Sequence, residues 1–443
     1  MNKSLVSYAG ALGATVLVLT AILMSGTSQS AVPTFSKDVA AILYKNCASC
    51  HRPGEIAPMS LLTYENARPW ARAIREQVAL GNMPPWHAAA PRGTFSNDRR
   101  LSDQDKDTLI RWADAGAPKG DPKDQPPAPK FADGWEIGIP DAVISMPKEF
   151  EVPASGTVAY QFFEAPTNFT QDKWVQAIEV RPGTRSVVHH VLVFCREPGS
   201  RRSSASFRPV GPRVPGAPHQ DSNDHNTGSR DPGMPGSLIA TTAPGTNAMI
   251  YKPGTALLIK AGASFFFQVH YTSNGAAARD RTSVGLVFAK TPPQQEIRNS
   301  AFINAMFVIP AGAVDQTVES AIQFTEDVHI TALFPHTHLR GKSWEYRLVY
   351  PDGRSEVVLS VPKYDFNWQT YYVFTKPLAV PSGSRLEATA HYDNSTANKW
   401  NPDPTLAVRW GPQTWEEMQY SGITYSVDGE RRESTAATRD QRN

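Results

Sequence analysis

Cysteine is nearly missing from this chain: 443 residues hold three, at Cys47, Cys50 and Cys195. Two form a close pair and the third stands alone, so a disulfide framework cannot carry the fold and a four-cysteine zinc site is excluded. An excess of charge is missing too, with 44 Lys and Arg against 42 Asp and Glu. That balance supplies neither the basic field of a nucleic-acid binder nor a polybasic membrane patch. Only one long apolar run occurs, Ala11 to Met24, preceded by Lys3 and followed by small residues up to Ala31. Residues 1–30 therefore read as a signal peptide, with an uncleaved N-terminal anchor as the alternative. Either reading places the working part in the periplasm or otherwise outside the cytoplasm, and leaves a membrane tether open. A chain this long can bury several cores without cross-links.

What the chain does contain begins with Cys47-Ala48-Ser49-Cys50-His51. In a C-x-x-C-H run the two thiols can form thioethers to haem and the imidazole can ligate its iron. Residues 34–120 around it read as helical. Phe35 to Asn46 carries Val39, Ile42 and Leu43 on one face. A second helix runs from an N-cap at Thr63 to Gly81, and a third from Ser102, with Asp105 three positions on, to Gly116. This suits a small all-α cytochrome c domain with one covalent haem c. Its distal ligand is expected to be Met83, in Gly81-Asn-Met-Pro-Pro-Trp86, with Met59 and His87 as alternatives.

Residues 121–130 form a Pro-rich linker. Beyond them the texture changes to short strand-like runs between Pro and Gly turns. These are Val143–Met146, Val175–Val180, Val187–Phe194, Ala256–Ile259, Phe265–Tyr271, Gln323–Phe334, Trp344–Tyr350, Tyr371–Phe374, Leu386–Tyr392 and Ala407–Trp410. They imply two all-β, jelly-roll-like sandwiches over 131–295 and 296–428, followed by a tail over 429–443. Glu197 to Gly254, rich in Pro, Gly, Ser, Arg and Asp, reads as a long surface loop or insertion.

Histidines gather within this β region. His189 and His190 are adjacent, His270 lies in Phe267-Gln-Val-His-Tyr271, and His336 and His338 lie in Phe334-Pro-His-Thr-His-Leu-Arg340. Two histidines two apart on a strand project to one face and can share a metal. Adjacent ones point to opposite faces, so His189 and His190 reach one ion only if the backbone twists or bulges. Imidazole-rich sites of this kind suit copper, zinc or nickel.

The order His189-His190-Val-Leu-Val-Phe, Gln268-Val-His-Tyr271, His336-Thr-His338-Leu-Arg-Gly-Lys342 and Gly411-Pro-Gln-Thr-Trp-Glu-Glu-Met418 resembles the type II copper, ascorbate-dependent monooxygenases, from Phe131 to Tyr425. The resemblance implies two β-sandwich domains, each supplying one copper site across a solvent-filled cleft. It implies that His189, His190 and His270 hold an electron-transfer copper. His336, His338 and Met418 would then be the catalytic ligands of an oxygen-binding copper, Met418 otherwise being ordinary core packing. It implies hydroxylation of a C–H bond with O2; the C-x-x-C-H domain suggests in addition that the haem relays electrons from a periplasmic donor to the copper sites. The animal members rely on several disulfides that this β region lacks, and nothing in the sequence specifies the organic substrate. A non-catalytic electron carrier, a copper-binding protein, or an oxidase of another small substrate stay open as alternatives. His391 has no ligand counterpart and reads as hydrogen bonding or packing. Tyr392, Asp393, Asn394 and Asn398 could shape the cleft, while His219, His225 and His329 read as surface or structural residues.

Overall fold

Three helical stretches precede the sheets, each started by the side chain the sequence offers. Thr34, Thr63 and Ser102 accept hydrogen bonds from the backbone N–H groups of Lys37, Asn66 and Asp105. The first stretch opens with a π turn over Phe35–Val39 and continues as the α-helix Ala40–Asn46. The second joins Tyr64–Ala67, Arg68–Trp70 and Ala71–Ala79, and the third is Asp103–Asp114. Gly81 and Gly116 follow the last two with φ of 73° and 83°, backbone conformations that a side chain resists. Phe35, Val39, Leu43, Ile74, Val78, Leu109 and Trp112 close a small core. This computed structural model describes residues 31–430 apart from 56, 132–133, 200–206, 211–235, 245 and 247. The segment read as signal peptide or anchor, His219, His225 and residues 431–443 of the tail lie outside the described residues. Among the described residues no helix is long and apolar enough to cross a membrane.

The stretch between the second and third helices does not stay with them. Trp86, Ala88 and Phe95 are buried in the core of the second β unit, with Trp86 against Tyr372 at 5.2 Å and Phe95 against Phe374 at 5.1 Å. Backbone bonds from Ala89 to Ser360, Ser96 to Val373 and Thr375 to Thr94 fasten this strap. Burying these two large aromatics against a sheet removes their surface from water.

The rest is mostly β-sheet, arranged as two packed pairs of sheets. A large nine-stranded sheet runs through both halves. From one side it takes Ala142–Ser145, Ser283–Phe288, Lys173–Arg181 and Thr255–Ile259, then Gln295–Ile303, Tyr420–Val427, Val328–His336 and Tyr372–Val380, with Met249–Ile250 beside Lys173–Arg181. Its first part faces a four-stranded sheet ordered Gln161–Pro166, Ser264–Tyr271, Val188–Arg196, Ser237–Thr242. Its second part faces a five-stranded sheet of Ser355–Val361, Gly341–Val349, Arg385–Tyr392, Gln316–Phe324 and Phe207–Val210. Strand Gln295–Ile303 pairs with Thr255–Ile259 on one side and Tyr420–Val427 on the other, so the expected 295/296 boundary falls inside a strand.

Two expectations need correction. Glu197 to Gly254 is not one loop: Phe207–Val210, Ser237–Thr242 and Met249–Ile250 are strands, each completed by a partner elsewhere in the chain. Gln323 to Phe334 is not one strand, because residues 325–327 turn the chain between Gln316–Phe324 and Val328–His336.

Strand alternation places the site. In Val188–Arg196, Val191, Val193 and Cys195 enter the first core, so His190, Leu192 and Phe194 face the other way. In Ser264–Tyr271, Phe265, Phe267, Val269 and Tyr271 enter that core, turning Phe266 and His270 outward with His190. From the other half, Ala332, Phe334 and Tyr420 meet Leu192, Phe194 and Leu238 in a separate apolar cluster. His336 continues the Ala332–Phe334 face. The two halves thus press their histidine-bearing faces together.

Candidate metal centre

His189 solves the problem of adjacency by a bulge. His270 pairs with His190, but the next residue, Tyr271, pairs with Val188, so His189 is the extra residue and its ring swings to the side of its neighbour. The Nδ1 atoms of His189 and His190 lie 3.0 Å apart. The ligand atoms of His189, His190 and His270 all fall within 4.8 Å of one another, close enough to hold one metal ion. His270 Nδ1 is buried without a hydrogen-bond partner. A buried lone pair left unmet is costly unless something binds it.

The second group adjoins the first. His336 ends its strand, and His338 lies beyond the strand end, so the two are not both strand residues as the spacing suggests. Their rings nevertheless approach to 5.3 Å. His338 Nδ1 contacts the Glu416 carbonyl at 3.1 Å, which can only accept, so the proton sits on Nδ1 and the lone pair on Nε2. That Nε2 is also buried and unpartnered.

One amide connects the groups. Gln369, fully buried, directs its Nε2 to the Phe366 carbonyl at 3.4 Å and to His190 Nδ1 at 3.3 Å. Its Oε1 lies 3.0 Å from His336 Nδ1. Because the Phe366 carbonyl must receive an N–H, the amide has one consistent orientation. His336 then carries its proton on Nδ1 and offers Nε2, while His190 accepts the amide N–H on Nδ1 and directs Nε2–H at the Tyr160 hydroxyl, 3.2 Å away. Phe366 stacks on His189 and also meets His190, His270 and His338. Tyr160 touches His190, His270 and His338, and its backbone N–H donates to Gln413 Oε1.

Met418 is reached through a carboxylate. Glu417, fully buried, accepts from the N–H groups of His338 at 2.7 Å, Arg340 at 2.6 Å and Met418 at 3.3 Å. It thereby ties the His338 segment to the Met418 segment. Tyr392 donates to the Met418 carbonyl at 2.7 Å. Asn394 accepts from Arg340 Nε at 2.7 Å and Asn398 donates to the Leu339 carbonyl, so this loop braces the metal-side segment from behind. Asp393 donates its N–H to the Arg340 carbonyl. His391 pairs instead with Asp315 at 3.0 Å, and His329 with Asp428 at 2.6 Å.

The solvent-filled cleft implied by the resemblance is closed here. His190, His336 and His338 are 0%, 2% and 0% exposed, because the shared sheet and the apolar cluster hold the two halves in contact. A cavity of about 460 Å³ opens beside His270, lined by residues 154–158, 271–273 and Gly275.

Burial lowers every one of these imidazoles. His189 and His336 fall to about 4 and His270 to about 3, while His190 and His338 lie well below the usual value, further depressed by neighbouring histidines. Burial pushes Glu417 the other way, up to about 7, against the pull of three N–H groups and Arg340. Neutral imidazoles are what metal ligation requires. They also set an acid response. Between about pH 6.5 and 4 the unfolded chain binds protons that the folded chain refuses, so metal-free protein loses stability as pH falls. His336 alone accounts for something on the order of 3 kcal/mol. Glu417, whose folded pKa is raised, opposes with one proton against five. Urea midpoints of metal-free protein should therefore fall steeply from pH 7 to pH 4.5; a flat profile would contradict the buried, neutral cluster.

In the helical unit, Cys47 and Cys50 are not joined to each other in a disulfide. His51 Nδ1 faces the Met59 carbonyl at 3.3 Å, which leaves Nε2 as the lone-pair nitrogen. The Met59 carbonyl therefore lies on the Nδ1 side of His51. His87 lies near Asp365, whose charge acts on it against the lowering effect of burial. Met83, half-buried, follows the second helix.

Residues 306–431 match the family model of the copper type II ascorbate-dependent monooxygenase, C-terminal domain. No curated protein matches the chain. Among solved structures, the major capsid protein P2 of bacteriophage PM2 is 10% identical with a TM-score of 0.28, covering 65% of this chain and 97% of that one. A chain of infectious bursal disease virus, Gx strain, is 10% identical with a TM-score of 0.18, covering 69% and 75%. Likenesses this distant carry no argument.

Proposed function

We propose that the chain is an exported copper-dependent monooxygenase that hydroxylates a C–H bond of an organic substrate and takes its electrons through a haem c of its own. The observation that carries the copper part is the pairing of a three-histidine cluster with a two-histidine cluster within one closed face, in a chain whose residues 306–431 match the monooxygenase family domain. The balanced reaction is R–H + O2 + 2 electrons + 2 protons to R–OH + H2O, which needs an outside reductant; a periplasmic donor acting through the haem fills that place.

The donor sets fit the groups. His189, His190 and His270 would hold one copper. His336, His338 and Met418 would hold the other, the thioether favouring Cu(I). Copper at these positions supplies one-electron redox chemistry and reaction with dioxygen. Cys47 and Cys50 would bond the haem, and His51 and Met83 would hold its iron. Haem there supplies electrons one at a time. The residues around the metals do the orienting. Gln369 leaves Nε2 as the lone-pair nitrogen of His336, Glu416 does so for His338, and Phe366 and Tyr160 keep water from the imidazoles. The cavity beside His270 is a place where a small organic molecule could meet this face.

Metal analysis and electron paramagnetic resonance of purified holoprotein test the reading: two type II coppers and one low-spin haem per chain, with reductant-dependent oxygen uptake on a substrate panel. Iron without copper would sink the oxygenase. Full metal content with no uptake on any substrate would favour an electron carrier.

A further inference from the structure

The segment after the C-x-x-C-H run is fastened to the turn Arg185–Val187, which leads into the strand carrying His189 and His190. Glu55, four residues after His51, accepts from Arg185 Nε at 2.8 Å, and Arg185 lies four residues before His189. The second oxygen of Glu55 takes Arg52 Nη2, also at 2.8 Å, and the Arg52 guanidinium lies 3.8 Å from the centre of the Phe131 ring. These side chains are only 14–24% exposed, so the pairs are better shielded than a surface bridge. Arg185 and His189 line the same small cleft, together with Val188 and Thr242.

We infer that Arg52, Glu55 and Arg185 form a docking clamp that holds the haem-binding loop against the three-histidine site, making His189 the side through which electrons enter the metal centre. This rests on the proposed haem and copper content. The strap at residues 86–97 already anchors the helical unit to the second half of the molecule. The clamp anchors it to the first half, so the helical unit is held at two points and the clamp sets how far the haem-binding loop lies from His189. Electron transfer falls steeply with separation, and a loop released at one end spends part of its time too far away. Glu55 and Arg185 are positioning residues: neither is a proposed ligand.

The experiment uses full-length, fully metallated protein. Its haem is reduced by rapid mixing, and reoxidation by the copper sites is followed optically in wild type, Glu55→Gln, Arg185→Gln, Arg185→Lys and the Glu55→Gln/Arg185→Gln double variant. Each Gln variant should slow intramolecular transfer about tenfold, the factor that 1.4 kcal/mol of lost docking gives. The double variant should be no slower than either single, and Arg185→Lys should recover part of the rate. Haem spectrum and copper content should not change. Independently of activity, amide hydrogen exchange over residues 47–55 should quicken in copper-free Glu55→Gln protein. Variants with intact haem and copper that transfer and exchange as wild type does would overturn the clamp and leave the enzyme reading standing. Wild-type protein that carries copper but no haem would overturn the clamp together with the haem relay, and leave the copper reading standing.

Discussion

His270→Ala is expected to reduce the copper content from two ions per chain to one and to lower oxygen consumption by at least about a hundredfold. Losing an outer hydrogen-bond partner of a metal ligand already costs about 10–100-fold, and this change removes a ligand. His270 Nδ1 is buried with nothing to bind, and its ring meets those of His189 and His190 at 5.1 and 4.9 Å. Without it, two adjacent imidazoles remain, and a two-nitrogen site lacks the third donor that closes the coordination. His391→Ala is the matched control: its side chain is tied to Asp315, so copper and activity should stay at wild-type values. Elemental analysis with integrated copper resonance intensity reads the first outcome directly. Two coppers retained in His270→Ala would show that the triad is not the site.

The largest stability effect is expected at Glu417. Replacing it with Leu strands the N–H groups of His338 and Arg340 and leaves the Arg340 guanidinium, 2% exposed, without the carboxylate beside it. Each buried N–H left without its acceptor costs roughly 1–3 kcal/mol, so the two lost here add up to about 2–6 kcal/mol. Arg340 keeps its bonds to Asn394 and the Trp415 carbonyl, which favours the lower end of that range. Glu417→Gln preserves the shape and one acceptor, and should cost about 1–2 kcal/mol. Urea unfolding with an unchanged m-value would measure both. A Leu variant as stable as wild type would mean that the carboxylate is not what ties His338 to Met418.

The sequence is informative where chemistry repeats at short range. Thr63 and Ser102 announce their helices because a hydroxyl followed by an amide three residues on is a local event. The adjacency of His189 and His190 demands a bulge if they are to share an ion, and the ladder slips at that residue. What escapes is long-range and single. Gln369, Phe366 and Tyr160 belong to no spaced pattern, and each matters only because two distant segments are folded against it. Glu417 stands within the quoted Gly411–Met418 run, yet its role depends on backbone N–H groups about eighty residues earlier. The strap around Trp86 and Phe95 escapes for another reason. A Pro-rich stretch between helices looks like a loop, and nothing local says that its aromatics belong to another core. Strand Phe207–Val210 is similar, since its partner Gln316–Phe324 lies far along the chain.

The parallel pairing of Thr255–Ile259 with Gln295–Ile303 has a mechanical corollary. Proteins that open and shut usually bend at a linker between two separately closed sheets, whereas here a bend would tear a ladder of backbone bonds. The spacing of the two imidazole groups is therefore built in like a beam's span, and access for reactants has to come from rearranging surface segments around a rigid frame.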